Sequence, residues 1–262
     1  MPAASPPPPA GPRYRKEIEF HDHAYTEQTR ARMVGFYAIS QFTKSYYRRL
    51  LEEHRPAGRV LEYGCGDSSH ALELAARGSD LIGIDISALA VEQARQGAQL
   101  KRVRPSFLVM NAEQLAFRDA SFELICGAAI LHHLDLEAAW PEIARTLKAG
   151  GTAVFVEPLG HNPLLKVFRR LTPGLRTPDE HPLVMRDLKT AGQYFSRVQT
   201  RYFQLVSLLC APFSRWPGFT ALLRVCEAID RGIFALLPFM RRFAWQVVLV
   251  LTGPKAPAAP VG

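Results

Sequence analysis

Two glycines and one acidic side chain have the spacing of a nucleotide-binding turn. The apolar run Val60–Tyr63 leads directly into Gly64 and Gly66, and a helical stretch follows. Asp85 comes 19 residues after Gly66, at the end of the next apolar run. In α/β proteins such a turn lets the backbone approach a ligand, and the carboxylate can accept hydrogen bonds from both hydroxyls of a ribose. We therefore expect a nucleoside-containing cofactor at this turn.

Ser69 argues against one class of nucleotide cofactor, the dinucleotides. A dinucleotide site normally has a third glycine at this position, where close packing of the helix leaves room for a pyrophosphate. The serine in this sequence makes a nicotinamide dinucleotide the weaker interpretation.

Three histidines follow later apolar runs, where they could exchange protons with a substrate. His132 and His133 come after the run that ends at Cys126, and His161 comes after the run that ends at Val156. Ligands of an open α/β sheet lie outside the carboxyl ends of its strands, and imidazole can take up a proton near neutral pH. We predict His132, His161 and His133 as catalytic residues, with capping or packing as the alternative.

A metal site is a second interpretation of the same region. Glu157, His161, Asp179 and His181 carry the carboxylate and imidazole groups that bind metal ions. They include no cysteine partner, so we expect no metal ion here.

The elements that must position these residues are short apolar runs that alternate with amphipathic helical stretches. This alternation predicts a doubly wound α/β fold around a mostly parallel sheet, with crossover helices. A glycine pair, Gly150 and Gly151, is expected to cap the helix that contains Trp140–Leu147. The predicted strands are Arg59–Tyr63, Asp80–Ile84, Ser106–Met110, Phe122–Cys126, Thr152–Val156, Arg201–Val206 and Trp245–Leu251.

Composition and proline content divide the chain into one domain with appended segments. Residues 1–13 are rich in proline and predict a disordered tail, and residues 14–54 predict a helical lid. Residues 55–252 predict the main domain, with a helical insertion at about 207–242, and residues 253–262 predict a flexible tail.

Charge and cysteine content limit the partners and the compartment. The net charge is +8, but Lys and Arg are scattered, so we expect no nucleic-acid partner. Four cysteines without a C-x-x-C pair favour a reducing, cytoplasmic location. Pro238 and the pair Arg241 and Arg242 interrupt the most apolar stretch, Gly232–Leu251, so no membrane span is expected. The apolar insertion has three interpretations: core, acceptor pocket, or a surface that contacts a membrane.

Four motifs in order resemble those of the class I S-adenosylmethionine-dependent methyltransferases. They are Glu62–Gly66, Asp85, Asn111–Phe117 and Phe122–Ile125, and together they extend over residues 62–125. The resemblance implies a seven-stranded Rossmann-like sheet and S-adenosyl-L-methionine as cofactor. One departure is Ser68, where many members have a glycine. The implied cofactor-binding residues are Glu62, Gly64, Gly66, Asp85, Ile86, Asn111, Ala112, Glu113, Gly127 and Ala128.

The resemblance also implies an enzyme that methylates a small molecule, with Tyr25, Tyr37, Glu157 and His161 as acceptor-binding residues. The apolar insertion favours a natural-product or lipid-like acceptor, and the histidines favour transfer to oxygen. Transfer to carbon of an isoprenoid or polyketide, and a cofactor-binding protein or cyclase that transfers no methyl group, remain alternatives. An RNA or protein methyltransferase is a further one, and the oligomeric state is left open.

Overall fold

A seven-stranded sheet forms the centre of the fold, in the order β3-β2-β1-β4-β5-β7-β6. The computed structural model describes residues 14, 18, 34–66, 69, 71–172 and 180–255. The strands are β1 (Arg59–Tyr63), β2 (Asp80–Asp85), β3 (Ser106–Val109), β4 (Phe122–Ala128), β5 (Leu147–Pro158), β6 (Phe195–Phe203) and β7 (Gln246–Pro254).

Strand direction follows the prediction of a mostly parallel sheet. The first five strands pair in parallel, whereas β7 lies antiparallel between β5 and β6. The carboxyl ends of β1, β2, β4 and β5 consequently share one edge of the sheet. The predicted doubly wound α/β fold is confirmed.

Helices cover both faces of the sheet and give it two apolar cores. One core contains Trp140 and Phe155, and the other contains Tyr47, Leu51 and Val154. A sheet with two buried faces explains why the strands read as nearly continuous apolar runs. The helices are α1 (Val34–Ile39), α2 (Gln41–Glu53), α3 (Leu72–Ala76), α4 (Ala88–Leu100), α5 (Leu136–Thr146), α6 (Pro163–Leu171), α7 (Met185–Tyr194) and α8 (Phe219–Leu236).

Two strand predictions need correction. Strand β6 covers residues 195–203 instead of 201–206, because Gln204 has φ +56° and the chain leaves the sheet there. Helix α5 ends at Thr146, and Gly150 and Gly151 lie within β5 instead of capping the helix. The last strand runs to Pro254, two residues beyond the predicted end of the domain.

The predicted insertion forms two 3₁₀ segments on either side of α8, Ser207–Phe213 and Pro238–Phe243. A third apolar cluster joins it to α6 through Leu165, Phe219 and Leu223. Among the described residues, no helix is long and apolar enough to cross a bilayer.

The region predicted as a lid has two different surroundings. Helix α2 packs on the sheet and buries Tyr47, Leu50 and Leu51. Tyr14, by contrast, donates a hydrogen bond from its hydroxyl to Glu113, one of the predicted cofactor residues, over 2.7 Å. The lid therefore stays a prediction for the part of the segment that precedes α1. The predicted tails, residues 1–13 and 256–262, lie outside the described residues.

Candidate active site

The glycine turn and Asp85 meet at the carboxyl ends of β1 and β2. Gly64 and Gly66 both have positive φ angles, +62° and +53°, which glycine adopts at little cost. The Asp85 carboxylate accepts the backbone N–H of Gly66 at 3.0 Å and that of Ser87 at 2.9 Å. These two contacts hold the carboxylate at the carboxyl end of β2, beside the glycine turn.

Gly64 also lies against the loop that follows β4. A Cβ atom at Gly64 would come within 2.9 Å of the Ile130 side chain, and one at Gly127 would come within 2.8 Å. Ile130 therefore packs into the space left by two glycines on neighbouring strands. Because the turn with the histidines begins immediately after Ile130, the predicted cofactor turn and the predicted catalytic turn are in contact.

Glu62 has a different surrounding from that of a ligand-binding side chain. It is buried, and its carboxylate accepts hydrogen bonds from the Ser69 hydroxyl and from the Ala71 backbone N–H, the latter at 3.1 Å. These contacts fix the chain between the glycine turn and α3. Glu62 thus positions the turn, and Asp67, Ser68 and His70 of the same turn lie outside the described residues.

The segment after β3 supplies the residues predicted to flank adenine. Asn111 accepts the N–H of Glu113 with its side-chain oxygen at 3.0 Å, and Ala112 is buried. The Glu113 carboxylate accepts the Asp135 N–H at 2.8 Å in addition to the Tyr14 hydroxyl. The segment is therefore tied on one side to the start of α5 and on the other to the N-terminal region.

A buried carboxylate holds the turn that contains His132. Glu157 has no exposed surface and accepts the backbone N–H groups of Ile130 at 3.0 Å and Leu131 at 2.9 Å. It also lies 2.7 Å from Nδ1 of His132. Because the carboxylate is the acceptor, Nδ1 carries the ring proton and Nε2 is the basic nitrogen. A carboxylate that orients an imidazole is the arrangement of many general bases.

His133 and Glu180 complete this cluster. The His132 and His133 rings are 4.1 Å apart, and a Glu180 oxygen lies 4.0 Å from Nε2 of His132. One nitrogen or oxygen from each of these three residues lies within 4.8 Å of the others. Glu180 also approaches Arg169 at 3.5 Å. This set differs from the four residues that the sequence analysis weighed as a metal site, Glu157, His161, Asp179 and His181. Of those four, Asp179 lies outside the described residues.

His161 lies apart from this cluster, at the start of α7. Its Nε2 accepts the backbone N–H of Met185 at 3.3 Å. Burial lowers the pKa of this imidazole, and the positive charges of Lys166 and Arg242 lower it further. A neutral ring that accepts a backbone N–H fits the capping alternative better than the role of a base.

The remaining predicted residues are scattered. Ile86 and Ala128 lie at the ends of β2 and β4, beside the cofactor turn. The Tyr37 side chain is 52% exposed and lies under the Lys44 ammonium. Tyr25 lies outside the described residues. Glu157, predicted to bind the acceptor, is buried beneath its turn, where its carboxylate contacts the His132 ring.

Two residues of the site were not predicted from the sequence. Glu180 lies between Asp179 and His181, two residues of the metal site that the sequence analysis weighed. The acidic side chains of that segment were the only feature of the sequence that pointed to Glu180. Tyr14 was included only as the first residue of the aromatic-rich lid. Both contacts join segments that are far apart in the chain.

The known proteins that this chain resembles are methyltransferases. A family model described as a methyltransferase domain matches residues 61–155. The uncharacterized methyltransferase YcgJ of Bacillus subtilis is 36% identical over 129 residues, which are 48% of this chain and 51% of that protein. The ubiquinone biosynthesis O-methyltransferase of Alkalilimnicola ehrlichii is 33% identical over 42% of this chain and 45% of that protein. The chain thus spans about half the length of these curated relatives.

A solved structure extends the likeness in fold over most of the chain. Phosphoethanolamine N-methyltransferase 2 of Haemonchus contortus, solved with S-adenosylhomocysteine, superposes with a TM-score of 0.62 at 16% identity. The match covers 91% of this chain and 60% of that protein. The chain thus contains a methyltransferase domain at residues 61–155, and the sheet order and the glycine turn with Asp85 agree with the class I, S-adenosylmethionine-dependent type of that domain.

Proposed function

We propose that this protein transfers a methyl group from S-adenosylmethionine to a hydroxyl of a small, apolar acceptor. The observation that supports it most strongly is the contact between two groups of residues. The glycine turn with Asp85 abuts, through Ile130, the turn in which Glu157 orients His132. This contact supports a site in which the cofactor and a proton acceptor are neighbours.

The residues at the ends of β1 and β2 fit the cofactor. When bound, S-adenosylmethionine supplies an activated methyl group, so the protein mainly has to align the acceptor and exclude water. The Asp85 carboxylate, at the end of β2 beside the glycine turn, suits the ribose hydroxyls. Gly64 and Gly66 suit close approach of the backbone to the methionine part, with Gly127 and Ala128 beside them. Asn111, Ala112 and Glu113 suit the adenine.

His132 is the residue best placed to accept a proton from the acceptor. Its Nδ1–H is held by Glu157, so Nε2 can take the proton of a hydroxyl while the carboxylate stabilises the positive charge that forms on the ring. The Glu180 carboxylate, 4.0 Å from Nε2, adds to this stabilisation. Oxygen is the atom for which such a base is most useful. The matched O-methyltransferase of ubiquinone biosynthesis supports the same choice.

The first experiment is isothermal titration calorimetry with S-adenosylhomocysteine. We expect Asp85→Ala to weaken binding by about 1–3 kcal/mol, the scale of lost charge-assisted hydrogen bonds. Asp80→Ala is the matched control because Asp80 is the exposed aspartate at the other end of the same strand. No binding to the folded wild type would refute the cofactor assignment.

A second experiment separates the alternatives. Turnover is measured with labelled S-adenosylmethionine and a panel of phenols, isoprenoids and polyketides, for the wild type and for His132→Asn. A hydroxyl acceptor predicts that the variant keeps cofactor binding and loses about 100-fold or more in rate. Product methylated at carbon would support the isoprenoid or polyketide alternative. Cofactor binding without methylated product across the panel would favour a protein that transfers no methyl group.

A further inference from the structure

Helix α8 has an apolar side that faces outward. Its buried positions are Phe219, Leu223, Glu227, Asp230 and Phe234, so two acidic side chains lie inside while the exposed side is largely apolar. Only three polar side chains, Thr220, Arg224 and Arg231, are exposed on this helix. Its other exposed residues are all apolar or glycine: Ala221, Val225, Ala228, Ile229, Gly232, Ala235 and Leu236.

Hydrogen bonds fix this orientation of the helix. The Asp230 carboxylate accepts the backbone N–H groups of Leu205 at 3.0 Å, Val206 at 2.6 Å and Ser207 at 3.3 Å, together with the Ser207 hydroxyl at 2.6 Å. A rotation that buried the apolar side would break these four contacts and leave backbone donors without their acceptor. The outward apolar side is therefore built into the fold.

Exposed apolar side chains continue on the segments next to α8. The preceding 3₁₀ segment and its following turn expose Leu209, Phe213 and Trp216, and the segment after the helix exposes Leu237 and Phe239. Helix α6, which packs against α8 in the third apolar cluster, exposes Leu164, Val167 and Leu171. We call the exposed side of α6, α8 and these two segments the apolar face.

The charges on the apolar face are all positive. In residues 207–243 the only acidic side chains are Glu227 and Asp230, and both are buried. Residues 163–172 contain no acidic side chain at all. The basic residues of the two stretches are Lys166, Arg169, Arg170, Arg215, Arg224, Arg231, Arg241 and Arg242.

Positive charge extends from this face into a neighbouring cleft. Arg224 and Arg231 also line a cleft of about 530 Å³ between α2, β6 and α8, together with Arg201 and with Arg49, which pairs with Glu53 at 3.1 Å. Burial raises the pKa of Glu227, the acidic residue of the cleft, to about 7. Near neutral pH this carboxyl group therefore offsets only part of one positive charge.

We propose that the apolar face docks on the surface of an anionic lipid bilayer. Apolar side chains flanked by arginine suit the boundary between lipid headgroups and acyl chains, where guanidinium groups reach the phosphates. Arginine without exposed acidic neighbours suits anionic lipids in particular. In this arrangement α8 lies in the plane of the bilayer surface.

Vesicle flotation of the wild type without cofactor tests this proposal. We expect the protein to float with vesicles of phosphatidylcholine and phosphatidylglycerol at 7:3, and to float far less with phosphatidylcholine alone. The double variant Val225→Glu with Ile229→Glu should lose at least about tenfold in the bound fraction. Leu100→Glu is the matched control, because Leu100 is 88% exposed at the end of α4, outside the apolar face.

A second variant tests the charges. Arg224→Gln with Arg231→Gln removes two guanidinium groups. Each contributes about 1 kcal/mol to binding at an anionic surface, so the double change should raise the Kd for the anionic vesicles about 30-fold. Circular dichroism checks that each variant is folded.

Three results would overturn the proposal. They are a wild type that stays unbound with anionic vesicles, a loss of binding in Leu100→Glu equal to that in the double variant, and a wild-type dimer that the double variant dissociates while neither floats. The last result would make the apolar face an interface between two copies of the chain. Because flotation needs neither cofactor nor acceptor, its outcome is independent of the calorimetric test of the proposed function.

Discussion

Replacing Glu157 with leucine tests whether its carboxylate holds the His132 turn in place. The change removes the acceptor of two short hydrogen bonds, from the backbone N–H groups of Ile130 and Leu131, and of a longer one from that of His132. An unsatisfied buried donor costs about 1–3 kcal/mol. With the lost contact to the His132 ring, we expect the free energy of unfolding to fall by about 3–6 kcal/mol.

Glu157→Gln should cost less, about 1–2 kcal/mol, because its amide oxygen can still accept the two backbone N–H groups. Its NH₂ group would then face Nδ1 of His132, so the ring proton should move to Nε2. The ¹⁵N chemical shifts of the imidazole report this change of tautomer. The variant should therefore lose the basic Nε2 while it keeps the fold.

The assay for stability is urea unfolding followed by circular dichroism, with an unchanged dependence on denaturant as the criterion for a common mechanism. Glu137→Leu is the control, since Glu137 is an exposed residue of α5, and it should change stability by less than about 1 kcal/mol. A leucine variant at position 157 as stable as this control would refute the role assigned to the carboxylate. A glutamine variant that keeps its proton on Nδ1 would refute the assigned tautomer.

Three further predictions concern single side chains. Burial raises the pKa of Glu227 from 4.5 to about 7, so folding favours the protonated form of this side chain. The free energy of unfolding should therefore fall by up to about 3 kcal/mol as the pH rises from about 4.5 to 7. Glu227→Gln should remove this loss in urea unfolding at pH 5 and pH 8. Gly64→Ala should destabilise the protein by about 1–2 kcal/mol in thermal unfolding and weaken cofactor binding, because of its positive φ and the Ile130 contact. Burial raises the pKa of the Cys65 and Cys126 thiols, so the folded protein should leave both unmodified by iodoacetamide at pH 8, as mass spectrometry would show.

Each of these has a control or a contrary result. Gly97→Ala, in α4 and with open space around it, should stabilise the protein by about 0.5–1 kcal/mol. If Gly64→Ala stabilised the protein by the same amount, the positive φ at Gly64 would not be required for stability. A steeper pH dependence in Glu227→Gln would contradict the sign given above. Modification of Cys126 in the folded protein as fast as in urea would contradict its burial.

The central strands of the fold were predictable because each is specified by a short pattern of neighbouring residues. Strands β1 to β4 are apolar runs bounded by turns, and their predicted limits agree with the structure to within two residues. Strand β6 was misplaced because it is an edge strand that pairs only with β7, and its Ser196, Arg197 and Gln199 obscure the apolar pattern. Gly150 and Gly151 suggested a cap, but the backbone of a bulged strand accommodates them.

The site was predictable only in part, because its key contacts join distant segments. The glycine turn and Asp85 form a short-range motif, and the sequence predicted them together. The contact between Glu157 and His132 depends on the pairing of β4 with β5, which no local pattern specifies. The sequence also suggested that the insertion is mostly core. The outward apolar side of α8 depends on the Asp230 hydrogen bonds, which only the tertiary structure reveals.

The position of β7 between β5 and β6 has a consequence for synthesis on the ribosome. Strand β6 pairs only with β7, yet β7 begins 43 residues after β6 ends. At ordinary rates of translation, β6 is complete roughly 2–9 s before synthesis of its sheet partner begins. During that interval the edge of β5 and both sides of β6 are open to wrong pairing and to chaperones. The final strand thus acts as the closing step of folding, and slow translation of its codons would prolong the vulnerable state.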